Sequence, residues 1–212
     1  MSYAGDVVAL ARKDLLLELR AKETLPAMLL FVLSALTILH FVVPEGTDDV
    51  ATLGLLWIAL VFTALLGLTR AFVPEREQHT MDALVLATAD RSAIWLAKSI
   101  AVFAFLVAAE LIALPAFSVF FEPVDGRTIA AVALADVGIC AVGTLTGAMA
   151  VAGRARELIL PLLFLPLAIP VVVGGVGASA GAGGEYLAFL ALYDVLFALL
   201  AWASFEYVVA ET

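Results

Sequence analysis

Three carboxylates sit inside long apolar runs of this chain: Glu110, Asp136 and Asp194. A charged side chain at the bilayer centre costs about 2.5–3.5 kcal/mol on insertion scales. Such a carboxylate must face the protein, carry a proton or meet a polar cavity. Two readings stand for Glu110, near the middle of its run: a substrate path or proton site, and a hydrogen-bonded carboxyl tying two helices together. Asp136 and Asp194 are nearer the ends of theirs, and read as ties. The fifth apolar run carries Pro161, Pro166 and Pro170. Each removes a backbone donor and bends a helix, which predicts a kink or a broken helix near mid-membrane. Freed carbonyls there suit gating or substrate contact, while a static kink would only fit neighbouring helices. His40 and His79 fall on opposite sides and share no metal, so both read as ordinary polar residues. Cys140 is the single cysteine, which makes no CxxC site and reads as a small apolar filler.

No metal site and no catalytic residue is assigned. The chain has no GxxxxGK[ST], no HExxH, no CxxCH and no plausible GxSxG elbow. It therefore does not read as an enzyme, and ATP-driven work would fall to another subunit.

The elements that hold these residues follow from composition. Of 212 residues 64% are apolar and only 15% charged, with a mean hydropathy of +1.11. A soluble domain is about 45–50% apolar and about 25% charged, so the excess needs lipid as its solvent. The net charge of −9 argues against a nucleic-acid partner. Six apolar runs stand out, at residues 25–43, 53–72, 94–121, 128–152, 158–176 and 186–209. A core of about 30 Å needs about 20 helical residues at 1.5 Å each, so each run reaches across. Continuous rather than alternating hydrophobicity predicts helices, not a barrel.

The basic residues set the orientation. Arg12, Lys13, Arg20, Lys22, Arg70, Arg76, Arg91, Lys98, Arg154 and Arg156 fall on one side if the spans alternate, and only Arg127 on the other. Both termini are then cytoplasmic. Two cytoplasmic segments read as structured. Residues 1–24 carry an apolar stripe at Val8, Ala11, Leu15 and Leu19 with Asp6, Lys13 and Arg20 on another face, the pattern of an amphipathic helix in the interface before span one. Residues 74–91 open on Pro74 with Glu75 and Glu77 in the first turn. Met81, Leu84, Val85 and Thr88 then lie on one face. This predicts a short helix between spans two and three, either an ordinary linker or an element that a cytoplasmic partner pushes. In span four Gly138, Gly143 and Gly147 predict close helix packing.

The order of elements resembles the permease subunits of ABC-2-type exporters. The stretch Glu75-Arg76-Glu77-Gln78-His79-Thr80-Met81-Asp82-Ala83-Leu84 is similar to their ERExGTLExL coupling segment. Within that group the chain looks most like the haem exporter protein B (CcmB) family of cytochrome c maturation. The residues that carry this are Lys13-Asp14-Leu15-Leu16-Leu17-Glu18-Leu19-Arg20, Trp57-Ile58-Ala59-Leu60, Gly138 with Gly143-Thr144, and the proline pattern from Leu160 to Pro170. One departure is His79, where the family usually has glycine; a turn needing positive φ is costlier there.

The resemblance implies an all-α membrane protein with six transmembrane helices and the ABC-2-type permease fold. It would form a single transmembrane domain over 1–212, divided as N-terminal interfacial helix 1–24, spans one and two 25–73, coupling segment 74–92 and spans three to six 93–209. It also implies a multi-pass place in a prokaryotic inner (plasma) membrane. The implied partners are a CcmA-like ATPase, CcmC-, CcmD- and CcmE-like haem-handling proteins, lipid and a possible second copy. Glu75, Arg76, Glu77, His79, Thr80, Met81, Asp82 and Leu84 would contact the ATPase. ATP would bind in the partner, and haem is a possible substrate rather than a cofactor. Two alternatives remain open: an ABC-2 exporter for a lipid, drug or polysaccharide, and a scaffold that transmits nucleotide state without moving solute.

Overall fold

The computed structural model describes residues 3–44, 46–77, 80, 84, 90–152, 156–181 and 184–210. Eight helices are present among them: α1 (Tyr3–Ala21), α2 (Thr24–Val42), α3 (Asp49–Arg70), α4 (Val73–Glu77), α5 (Ser92–Phe120), α6 (Gly126–Ala152), α7 (Arg156–Ser179) and α8 (Glu185–Ala210). Six segments are long and apolar enough to cross a membrane: α2, α3 with the turn after it, α5, α6, α7 and α8. In lipid every backbone group must bond internally, and a continuous apolar run satisfies that as a helix. The runs stop where turn residues intervene: Pro44 and Gly46 after α2, Pro123 after α5, Gly181 after α7.

The outward faces support the lipid setting independently. Leu30, Phe41, Leu111, Val119, Leu158, Leu162 and Leu192 are all exposed large apolar side chains. Spread around a soluble protein they would form an aggregating surface; around a bundle they meet acyl chains.

The most enclosed spanning helix is α6, and the least enclosed are α2 and α8. α6 packs on α3, α5, α7 and α8, while α2 lies against α3 and α5. Its sequence allows this: a methyl built on Gly143 would stand 2.3 Å from Leu68 Cδ1 of α3, so only glycine lets the two helices approach. Phe117, Phe164, Leu56, Leu106 and Leu190 fill the core around it. Asp125 starts α6, its Oδ1 accepting the Thr128 backbone N–H at 2.7 Å. The Thr128 hydrogen bonds hold the Asp125 carboxyl below its ordinary range. A depressed carboxyl contributes stability above its unfolded pKa and loses it as pH falls through the folded one. Asp125→Ala is therefore expected to cost about 1 kcal/mol at neutral pH, and the gap from the parent should close on acidification below about pH 4. Thermal unfolding in detergent at both pH values checks this.

The apolar stripe of α1 divides: Ala11 is buried and Leu15 packs against the core, while Val8 and Leu19 face outward. Val7 and Ala11 bury against Ala93 and Ala97 of α5. The buried residues of α1 are Asp6, Val7, Ala11 and Asp14, so its protein-facing side carries two acids beside the apolar residues. Of the two forms expected for the proline run, the broken helix is absent: α7 is one continuous helix through Pro161, Pro166 and Pro170.

The loops sort into two ends. At one end His40 Nδ1–H donates to Phe120 O at 2.9 Å, and Arg127 donates to Gly181 O at 3.2 Å, gathering the α2–α3, α5–α6 and α7–α8 turns. At the other end lie α1, α4 and the start of α5. Among the described residues every lysine and arginine except Arg127 is at or near this second end.

Candidate functional site

At the basic end four charges meet across three helices. Lys98, six residues into α5, places its ammonium 2.8 Å from Glu75 Oε2 of α4 and 3.1 Å from Asp14 Oδ2 of α1. Lys13 lies 2.6 Å from Glu75 Oε1 and 3.0 Å from Asp14 Oδ1. Lys98 also donates to the Ala71 carbonyl at 2.7 Å and stands 5.2 Å from the Phe72 ring centroid. Glu75 is 2% exposed and Lys98 3%. Two carboxylates and two ammoniums thus alternate in a largely dry pocket, where such pairs exert most of their force. Burial opposes the charge on Lys13, but the Glu75 hydrogen bond and the Asp14 and Glu75 charges outweigh it and hold its ammonium above the ordinary value. The cluster has no nucleophile and no metal geometry. Its ion pairs tie α4 to both α1 and α5.

Of the residues expected at the cytoplasmic segment, Glu75 is therefore turned inward rather than exposed. Thr80 N–H donates to Glu75 O at 2.9 Å, and Leu84 N–H to Thr80 O at 3.0 Å. Arg76 and Glu77 belong to α4; their side chains, and His79, Met81 and Asp82, lie outside the described residues.

Deeper in the bundle the structure brings Glu110 and Asp136 together, their carboxyls within hydrogen-bonding reach across α5 and α6. Asp194 is not part of this pair: it lies on α8 against Gly138, where an added methyl would stand 2.6 Å from its Oδ1. Glu110 and Asp136 are each ten residues from the outer ends of their helices and Asp194 is nine from its own, by subtraction from the helix bounds. All three thus sit about 14–15 Å deep at 1.5 Å per residue. Along α7, Tyr193 Oη donates to Leu167 O at 2.7 Å, three residues before Pro170, where the proline ring crowds the preceding turn.

Asp14, Lys98 and Tyr193 escape a reading of the sequence for functional residues. For Asp14 a signal exists: Val7, Ala11 and Asp14 are spaced 4 and 3, so an acid sits on an apolar face and needs a buried cation. Lys98 counts by sequence only as one more flanking base. Nothing in the sequence links Tyr193 to a carbonyl 26 residues away.

Six apolar helices, an ion-paired cluster at the basic end and buried carboxyls within the spans define a polytopic membrane protein. Residues 6–208 match the CcmB protein family, and the chain belongs to it. It is 30% identical over 200 residues to heme exporter protein B of Bradyrhizobium diazoefficiens, covering 90% of this chain and 88% of that protein. It is 29% identical over 205 residues to heme exporter protein B of Paracoccus denitrificans, covering 93% and 94%. The corresponding protein of Rhodobacter capsulatus is 28% identical over 172 residues, 79% of each chain.

Proposed function

We propose that this chain is the membrane (permease) subunit of an ABC-type complex in cytochrome c maturation. It couples ATP hydrolysis in a separate subunit to haem export, or to release of a haem-loaded chaperone. The observation that carries this is the CcmB match across nearly the whole chain, with relatives named as heme exporters. The chain sits in a prokaryotic inner membrane with both termini cytoplasmic; the crowding of basic residues at one end supports that orientation. The same end carries α1, which fits an interfacial helix, and α4, which opens the coupling segment.

The ion cluster suggests how force enters. An ATPase bound to the 74–92 segment displaces α4, and Glu75 passes that displacement to Lys98 of α5 and to Lys13 of α1. Arg76, Glu77, His79, Thr80, Met81, Asp82 and Leu84 supply the contact, while Glu75 acts from within. Arg76→Glu or Glu77→Lys is expected to weaken co-purification of the ATPase at least tenfold, on the order expected when one side of a charge contact is reversed. The thermal midpoint of the membrane subunit should stay unchanged. Undiminished co-purification would overturn the reading.

A further inference from the structure

Between α5 and α6, on the outer half of the bundle, a cavity of about 590 Å³ opens sideways. Its walls are apolar, among them Phe103, Leu114 and Val132. Its rim residues Leu111 and Ile129 are 71% and 54% exposed. Its floor is different: Glu110 and Asp136 both line it. Asp136 is only 2% exposed, yet its Oδ2 is buried with no hydrogen-bond partner. Leu111 adds a carbonyl, because Pro115 has no N–H to return to it. The polar groups of the groove are these carboxyls, that carbonyl and the Ser118 hydroxyl. Ser118 already donates to Leu114 O and accepts the Val124 N–H, and the two carboxyls reach each other, so Asp136 Oδ2 is the atom that still calls for a donor. A buried acceptor without a partner is costly, and an intramembrane carboxyl is costlier still.

Depth selects the donor. The two carboxyls lie about 15 Å below the outer helix ends, ten residues at 1.5 Å, half of a core of about 30 Å. A lipid headgroup amine stays at the surface. An anionic cargo brings further acceptors, not the donor that Asp136 Oδ2 lacks. A basic side chain on another spanning helix reaches this level, and such residues pair with intramembrane acids. That helix comes from a different polypeptide. Of the eleven lysines and arginines here, the one deepest within a spanning helix is Lys98, buried in its own cluster.

We propose that the α5–α6 groove seats a transmembrane helix of another polypeptide, which places one lysine or arginine against Glu110 and Asp136. The apolar rim packs on that helix, and the charge complement fixes its register and depth. This rests on the membrane placement of α5 and α6 and not on haem, so it stands or falls apart from the proposed function.

The test is a photo-crosslinking residue at Ile129 in the full-length chain, in the membranes of the organism that makes it, with Ile169 on the lipid face of α7 as control. The Ile129 adduct, identified by sequencing, is expected to be a membrane polypeptide with a lysine or arginine near mid-span. Its yield should fall at least about tenfold in Glu110→Gln/Asp136→Asn. It should fall equally when the partner's basic residue is changed to leucine, which leaves this chain intact and removes misfolding as an explanation. Crosslinks to lipid alone, to a second copy, or to a helix without a basic residue would each overturn the proposal. So would an adduct that survives charge removal on the partner.

Discussion

Lys98→Met is expected to be the most damaging of the single changes considered, lowering stability by about 3–5 kcal/mol, the cost of leaving a buried charge without its partner. Methionine keeps the length and apolar stem of lysine, so packing against Phe72 survives. What is lost is the ammonium that meets Asp14, Glu75 and the Ala71 carbonyl together. Two buried carboxylates would then share only Lys13, whose side chain is 36% exposed. Lys13→Met should cost clearly less, because water reaches its position and screening weakens the pair. The Glu75 hydrogen bond and the Asp14 and Glu75 charges hold the Lys13 ammonium above its ordinary value. A raised ammonium contributes fully below its unfolded pKa, about 10.4, and loses that contribution only as pH rises through the folded value. Between pH 6 and pH 9, on that same lysine scale, Lys13 should therefore stay charged and the thermal midpoint should not drop through its titration. A decisive addition is Lys98→Met combined with Asp14→Leu, Glu75→Met and Lys13→Met. Replacing the whole ionic set by apolar groups is often neutral, so the quadruple variant should recover stability while losing the link between α4 and α5. If Lys98→Met melts within about 1 kcal/mol of the parent, the cluster is a surface ornament and the route for force through Glu75 fails.

The spans were legible because their signal is local. Residues 25–43, 94–121 and 128–152 are uninterrupted apolar stretches bounded by turn residues, and the helices Thr24–Val42, Ser92–Phe120 and Gly126–Ala152 follow them within two residues at each end. The intramembrane acids were legible too, because a charge in an apolar run is conspicuous whatever the fold. Their pairing was not. Glu110 and Asp136 meet only because α5 and α6 are antiparallel neighbours joined by a short turn, which sets both acids at one depth. Asp194 reads alike in sequence but faces Gly138 instead. The Lys98 cluster was hidden for the same reason: Asp14, Glu75 and Lys98 are separated by 61 and 23 residues, and nothing in their local pattern couples them. At α1 apolar periodicity marked Ala11 and Leu15, which do pack, but held no sign that Val7 meets Ala93 and Ala97 of α5 while its neighbour Val8 faces outward.

Two glycines of similar local setting should respond oppositely to alanine. Gly54, in the interior of α3, has nothing within 4 Å of an added methyl. Gly54→Ala therefore gains helix propensity without a clash and should stabilise by up to about 1 kcal/mol. At Gly138 the same methyl would stand 2.6 Å from Asp194 Oδ1 and 2.9 Å from the Tyr193 ring. Neither neighbour can retreat cheaply. Tyr193 is 5% exposed and its hydroxyl is anchored on Leu167 O, while Asp194 is buried with one oxygen already unpartnered. Overpacking of this kind costs about 1–3 kcal/mol, enough to cancel the propensity gain. Gly138→Ala should be neutral to destabilising, and Gly138→Leu should separate α8 from α6 and cost clearly more. Separation would strip Tyr193 from Leu167 and loosen α8 from the proline-bearing α7 as well. Melting in detergent reads the stabilities, and a cysteine pair across α6 and α8 reads the spacing. Equal gains from Gly54→Ala and Gly138→Ala would mean that α8 is free to move away from α6, and that the contact at Asp194 constrains nothing.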